Sequence, residues 1–356
     1  MADESSISRR DFVRSAAGTV GAASVRALAG VNARPHHAPG RRNEQQPPAS
    51  ELVPTRALGK TGEKVSAIGV GGFHLGSTKD QGEANELVSR ALDAGITFFD
   101  NCWDYHDGQS EVILGNALIG KRDKAFLMTK VCTHGRGKDV AMEQLEESLR
   151  RLQTDHLDLW QIHEVIHYND PDLIFAPGGA AEALLTAKQQ GKVRFIGFTG
   201  HKDPAIHLKM LAHDFPFDTV LMPLNCLDAT FRSFETRVLP EAIRRGIGVL
   251  GMKSLGGSGE LIRHGVVTPE EGLRYAMSLP VATTISGMDS LAVLEQNLKV
   301  ARGFTPMPAP EMATLRERCR ELAADGRFEL FKTTKKYDGK VGREQHGYPT
   351  AEELPV

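Results

Sequence analysis

Cysteine is scarce in this chain. Four occur in 356 residues, Cys102, Cys132, Cys226 and Cys319. They are widely spaced and never form a CxxC pair, which argues against a zinc knuckle, a ferredoxin-type cluster and a disulfide framework. No apolar run approaches the roughly 18 residues of a membrane span, so no transmembrane segment is expected. Neither sign of charge is in excess. Lys and Arg total 43 against 45 Asp and Glu, for a formal net charge of −2. No basic stripe with interleaved aromatics occurs, so nothing electrostatic favours a nucleic-acid partner. The remainder, 40% hydrophobic, is globular in composition and long enough for one large domain or two small ones.

The first residues have a different character. Arg9 and Arg10 follow Ser8, then come Phe12 and Arg14. A weakly apolar Gly/Ala-rich stretch continues to Val25, and Ala27 and Ala29 offer small residues for a signal peptidase. This layout over residues 1–30 resembles a twin-arginine export signal. It implies engagement of the twin-arginine export machinery and an exported, periplasmic protein; a basic tail on a cytoplasmic protein is the alternative. Residues 31–54, rich in Pro, Arg and Gln and without periodicity, read as a disordered linker.

From Val65 onward the pattern alternates. Short apolar runs, among them "ITFFD", "AFLMTKV", "LDLWQIHEV", "VRFIGFTG", "TVLMPLN", "GVLGMKS" and "TTISGM", are each followed by an amphipathic stretch. The runs lack the in-out alternation of a sheet with one wet face, which points to parallel strands buried on both sides. Strict strand–helix alternation means βαβ units, and eight of them close into a (β/α)8 TIM barrel. Residues 55–304 match the ~250 residues typical of that architecture. A short N-terminal hairpin is expected before the barrel. After it, residues 305–356 read as a helix and a basic tail.

In such a barrel the chemistry lies at the C-terminal ends of the strands. Those positions carry Asp100, Lys130, His163, Thr199, His201, Asn225, Lys253 and Ser286, with Tyr105 in the loop beyond Asp100. Gly69, Gly71 and Gly72 do not complete a G-x-G-x-x-G fingerprint, because His74 stands at the last glycine position. Lys130 ends an apolar strand and needs a carboxylate, which Asp100 on the adjacent strand can supply. A cation beside Tyr105 is expected to lower its pKa and fit the phenol for proton transfer near neutral pH. Trp103 is expected to wall the pocket, and Ser110 and Glu111 to begin the next helix.

Asp100, Tyr105, Lys130 and His163, in this order and at these strand ends, resemble the catalytic tetrad of the aldo-keto reductase family. "LGKTGEKVSAIGVGG", "FFDNCWDY", "SEVILGNAL", "FLMTK", "LDLWQIH", "GKVRFIGFTGH" and "LEQNL" are similar to that family in register. The resemblance implies reduction of a small aldehyde or ketone, sugar-like substrates included, by a nicotinamide cofactor, NADP(H) expected over NAD(H). Tyr105 would protonate the carbonyl oxygen, Lys130 held by Asp100 would tune Tyr105, and His163 would orient the carbonyl. The cofactor would be held by Gly72, Phe73, Thr199, Asn225, Met252, Lys253, Leu255, Gly257, Gln296 and Asn297, the last two read as the start of the final barrel helix and as adenine contacts. Several positions depart from the family pattern and mark a divergent subgroup. Thr199-Gly200 replaces Ser-Asn, Leu221 replaces Gln, Met252 replaces a stacking Tyr, and Met288 to Val293 carries no basic residue for a 2′-phosphate.

Two other classes compete. A metal-dependent barrel hydrolase could draw on His74, His106, His134, His163 and His201 with Cys102, Cys132 and Cys226. It is disfavoured because the sequence shows no H-x-H and no close ligand spacing, so no metal site is expected and the cysteines read as small buried residues. A non-catalytic nicotinamide-binding sensor is disfavoured by the intact tetrad.

Overall fold

A computed structural model describes residues 51–132, 137–257, 259–341, 344 and 347. The export-signal segment, the linker as far as residue 50, and His134 lie outside the described residues.

Two short antiparallel strands, β1 (Thr55–Ala57) and β2 (Lys64–Ser66), form the hairpin. Eight parallel strands follow: β3 (Ile68–Gly71), β4 (Phe98–Phe99), β5 (Phe126–Val131), β6 (Leu157–Ile162), β7 (Val193–Thr199), β8 (Thr219–Pro223), β9 (Gly248–Met252) and β10 (Thr283–Gly287). They close in sequence order, β10 pairing with β3, into a complete barrel. This is the (β/α)8 TIM barrel that the alternation implies.

Two hydrophobic layers hold it together. Inside the barrel, Phe98, Phe126, Met128, Leu159, Leu221, Leu250 and Ile285 pack on one another, with Leu58 and Val65 of the hairpin among them. The hairpin therefore closes the N-terminal end of the barrel. Arg56 fixes it there by donating to the carbonyls of Met277 at 2.7 Å and Val281 at 3.1 Å. The second layer lies between strands and helices and includes Leu87, Val88, Leu114, Leu145, Trp160, Leu184, Phe198 and Met277. Strict alternation along a strand decides which residues join which layer.

The helices are locally encoded. Gln81–Asp93 starts at Asp80, whose carboxylate accepts from Gly82 N at 2.6 Å. Pro269–Ser278 has a full capping box, with Thr268 and Glu271 reciprocally bonded and Pro at its first position. Beyond the barrel come the helix Ala309–Ala323 and a short one, Leu330–Thr333. Among the described residues no helix is long and apolar enough to cross a membrane.

Candidate active site

The inward parity of the strands carries directly into the site. Phe98 fills the barrel, so Asp100 two residues on reaches its mouth. Met128 does the same for Lys130, and Leu159, through Gln161, for His163. These residues line a cavity of about 850 Å³ with Tyr105, Phe73, His74, Glu164, Thr199, His201, Met252 and Lys253.

Lys130 Nζ donates to Asp100 Oδ1 at 2.5 Å, to the Asn101 carbonyl at 2.7 Å and to the Tyr105 hydroxyl at 3.1 Å. The pair is buried, Lys130 at 1% and Asp100 at 5% exposure, so each charge depends on the other. Burial raises the Asp100 carboxyl, and the adjacent Lys130 ammonium opposes that rise. Tyr105 stands edge-on to His163, with ring centroids 5.8 Å apart, and edge-on to Phe73 at 5.5 Å.

One electrostatic expectation is reversed. Burial pushes the Tyr105 phenol well above its usual value, and the negative charge of Asp100 pushes the same way. The Lys130 ammonium is already neutralised by Asp100 at closer range. Tyr105 therefore keeps its proton in this state, which suits an acid.

The positions read as cofactor contacts divide into two groups. Phe73, Thr199, Met252, Lys253, Leu255 and Gly257 line the cavity; Gly72, Asn225, Gln296 and Asn297 do not. Gly72 is buried, and a Cβ there would stand 2.3 Å from the Asp100 carbonyl oxygen, so the position takes only glycine. Asn225 is fully buried and donates to Glu329 Oε1 at 3.0 Å while accepting from the Leu227 and Asp228 amides. Gln296 and Asn297 sit mid-way along the helix Leu291–Ala301 rather than at its start. There Gln296 faces solvent and Asn297 donates to Ser286 Oγ at 3.1 Å. Trp103 is also no pocket wall: its indole donates to Glu147 Oε2 at 2.7 Å and Arg151 lies over its ring.

Lys253 is a half-buried cation facing the cavity. Among the described residues no carboxylate lies within ion-pair distance of it, and desolvation pulls its pKa down to about 8. Beside it, Gly256, Gly257 and Gly259 adopt left-handed backbone that side chains rarely tolerate. An anionic cofactor group would compensate the Lys253 charge, so this lobe fits a pyrophosphate.

Sequence reasoning left three parts of the site unassigned. Glu164 is buried at the cavity wall with φ of +58°, and burial holds its carboxyl well above the usual range. Residues Lys336, Tyr337, Asp338 and Gly339 of the tail also form cavity wall. Three anchors hold that tail. Lys332 Nζ, fully buried, donates to Asp228 and Glu329, each at 2.7 Å. Lys202 donates to Asp338 at 2.6 Å, and Gly339 N donates to Glu164 Oε2 at 2.7 Å.

The third is a cluster of potential ligands. Cys102, Asp104, Cys132 and His163 bring their donor atoms within 4.8 Å of one another. Strand register explains why spacing did not show it: β4, β5 and β6 are neighbours, so residues some 30 positions apart in sequence become adjacent at their ends.

Comparison with known proteins agrees with the geometry. The family model described as "Aldo/keto reductase family" matches residues 67–262, more than half of the chain. L-galactose dehydrogenase of Arabidopsis thaliana is 38% identical over 214 residues, covering 57% of this chain and 66% of that protein. The aldo-keto reductase YhdN of Bacillus subtilis (strain 168) is 32% identical over 201 residues, covering 52% of this chain and 57% of that protein. The chain thus spans under two thirds of each of these curated relatives. Among solved structures, the holo form of an aldo-keto reductase from Bacillus halodurans shares the fold, with a TM-score of 0.63 at 24% identity over 75% of this chain and 96% of that one.

Proposed function

Because the chain belongs to the aldo/keto reductase family, we propose that it reduces a small aldehyde or ketone to an alcohol with a nicotinamide cofactor, NADP(H) in preference to NAD(H). The observation that carries this is the Tyr105 hydroxyl at 3.1 Å from a Lys130 ammonium that Asp100 holds in place. Reduced nicotinamide, when bound, supplies the hydride. Everything else falls to the chain.

A carbonyl oxygen that gains negative charge needs a positioned proton. Tyr105 retains its proton at rest and stands at the cavity wall, so it is the acid. Lys130 lies close enough to stabilise the tyrosinate left behind, and Asp100 keeps Lys130 in register; both are positioning residues. His163 is edge-on to Tyr105 and lines the same cavity, which suits it to orient the carbonyl. Phe73 and Met252 offer apolar surface, and Lys253 with the Gly257 loop would hold the phosphates. Lys336, a third lysine in the cavity wall after Lys130 and Lys253, supports the more highly charged NADP(H). Glu164, whose carboxyl burial holds well above its usual range, offers the cavity wall a hydrogen-bonding group, which supports a hydroxyl-bearing, sugar-like substrate, as does the likeness to L-galactose dehydrogenase.

A panel of aldehydes, ketones and sugars, assayed with NADPH and with NADH by loss of the reduced-cofactor absorbance, tests this proposal. Turnover of at least one carbonyl with a higher kcat/KM for NADPH is expected. Absence of turnover with either cofactor would remove it. We further propose that residues 1–30 direct export by the twin-arginine route, on sequence pattern alone. Fractionation showing only full-length cytoplasmic protein would remove that claim.

A further inference from the structure

We propose that Cys102, Asp104, Cys132 and His163 form a tetrahedral zinc site at the cavity wall, beside Tyr105. This goes beyond the reductase function and does not depend on it.

Four of the six donor–donor distances fall at the edges of a coordination shell, and the other two are within 4.8 Å. Zinc bonds of about 2.3 Å to sulfur and about 2.0–2.2 Å to nitrogen and oxygen give tetrahedral edges of about 3.8 Å for S···S, about 3.6 Å for S···N and about 3.4 Å for N···O. Here the two sulfurs are 3.6 Å apart, and His163 Nδ1 lies 3.2 Å from Cys102 Sγ and 3.3 Å from Cys132 Sγ. Asp104 Oδ1 lies 3.6 Å from the same nitrogen. Each agrees with its expected edge within about 0.4 Å. Two sulfurs, one imidazole nitrogen and one carboxylate oxygen around a single point are a donor set that zinc takes readily.

The surroundings prepare the ligands. Asp104 Oδ1 is buried and receives no hydrogen bond of ordinary geometry; the polar groups it faces are the two thiols and His163 Nδ1. Asn101 Oδ1 accepts from the Cys102 amide at 2.8 Å, and Gln144 Oε1 accepts from the Cys132 amide at 2.9 Å. Trp103 N donates to the Lys130 carbonyl at 3.1 Å, which fixes the loop between the first two ligands. Outer contacts of this kind are what orient a metal's ligands. The other close pair, Cys226 and Cys319, has its sulfurs equally near at 3.6 Å. It does not belong to any such quartet among the described residues.

The chemistry balances. Each thiol loses its proton to solvent as its sulfur bonds to zinc, and the carboxylate and neutral imidazole bind as they are. Two protons leave and one divalent cation enters, so the net charge of the cluster is unchanged. Lys130 then keeps the same electrostatic neighbour with or without metal. With four protein ligands the shell is closed and leaves no position for a substrate oxygen. The metal therefore acts as a positioning element that fixes the His163 ring and the 102–105 loop, not as a Lewis acid.

The test uses the full chain. Protein purified without chelator is subjected to elemental analysis. Metal-free protein, prepared with a chelator under reducing conditions, is titrated with zinc and separately with cobalt(II). The expected result is one zinc per chain, and a cobalt form with thiolate charge-transfer and tetrahedral d–d absorption. Zinc content falls to background in Cys102→Ser and Cys132→Ser and is retained in the Cys226→Ser/Cys319→Ser double variant. The cobalt spectrum of the unmutated chain decides the matter even if the cysteine variants fail to fold. Zinc content well below one per chain after zinc addition and dialysis, a cobalt form without thiolate bands, or zinc retained without Cys102 and Cys132 would each overturn the proposal. Tyr105→Phe is expected to keep its zinc while losing carbonyl reduction, so failure of either proposal is visible separately.

Discussion

The Lys130 ammonium lies 3.1 Å from the Tyr105 hydroxyl and 4.6 Å from the centroid of its ring. A tyrosine placed this way suits the proton-donor role proposed for it, because its conjugate base would have a cation at hand. Tyr105→Phe removes the proton and leaves the shape. We expect kcat to fall by ~10²–10⁴-fold, the usual contribution of a positioned acid, with cofactor affinity unchanged. Steady-state kinetics and a cofactor titration on the same preparation check it. A cofactor-binding sensor would show no catalytic difference between variant and parent.

Lys253 gives the site a pH dependence. Burial holds its pKa near 8 in the free protein, whereas a phosphate beside it would favour the cation and raise that value. Cofactor binding should therefore take up a proton above pH about 8, and affinity should fall ~10-fold per pH unit there until the pKa of the complex is reached. Calorimetry in two buffers of different ionisation enthalpy reads the proton directly, and Lys253→Met should abolish it. The stability sign is separate. Between about 8 and the ordinary lysine value of 10.5 the unfolded chain holds more protons at this site, so stability rises with pH across that window.

The barrel, and the meeting of Asp100, Tyr105, Lys130 and His163 at one cavity, were legible in the sequence because both rest on short-range regularities. Met128 and Lys130, or Phe98 and Asp100, are two residues apart, and a period of two sends both members to the same side of the sheet. What sequence did not show depends on register between strands or on the tail. Cys102, Cys132 and His163 meet only because β4, β5 and β6 are neighbours. Asn225 looked like a mouth residue by position, yet it turns away to Glu329, more than a hundred residues on. Gln296 and Asn297 follow helical phase, which carries one to solvent and the other to Ser286. The tail has no apolar period, so its buried lysine could not be told from a solvated one.

That lysine makes a sharp prediction. Lys332 is fully buried between Asp228 and Glu329. Lys332→Met would leave two carboxylates buried without a counter-ion, and we expect a loss of ~3–5 kcal/mol, read by denaturant unfolding. Burial also raises Glu329 from 4.5 to about 7. A raised carboxyl contributes stability that is full below pH about 4.5 and is lost as pH rises through about 7. Proteolysis of the tail should accordingly speed up from pH 5 to pH 8, and Glu329→Gln should flatten that trend.

Gly72 is a packing position. A Cβ there would meet the Asp100 carbonyl at 2.3 Å and Asn101 Cα at 2.9 Å, both backbone atoms that cannot swing aside. Gly72→Ala should cost ~1–3 kcal/mol of stability. Because the displaced residue is Asp100, kcat should fall more than KM rises. Paired unfolding and kinetic measurements separate the two effects.

The most direct test of the central claim is isotope transfer. A reduced nicotinamide cofactor dideuterated at C4 is incubated with the enzyme and a carbonyl it turns over, and the alcohol product is analysed by mass spectrometry and NMR. Direct hydride transfer predicts one deuterium on the former carbonyl carbon, and Tyr105→Phe should yield almost none of that product. An alcohol formed by the unmutated enzyme with no deuterium at that carbon would contradict the account.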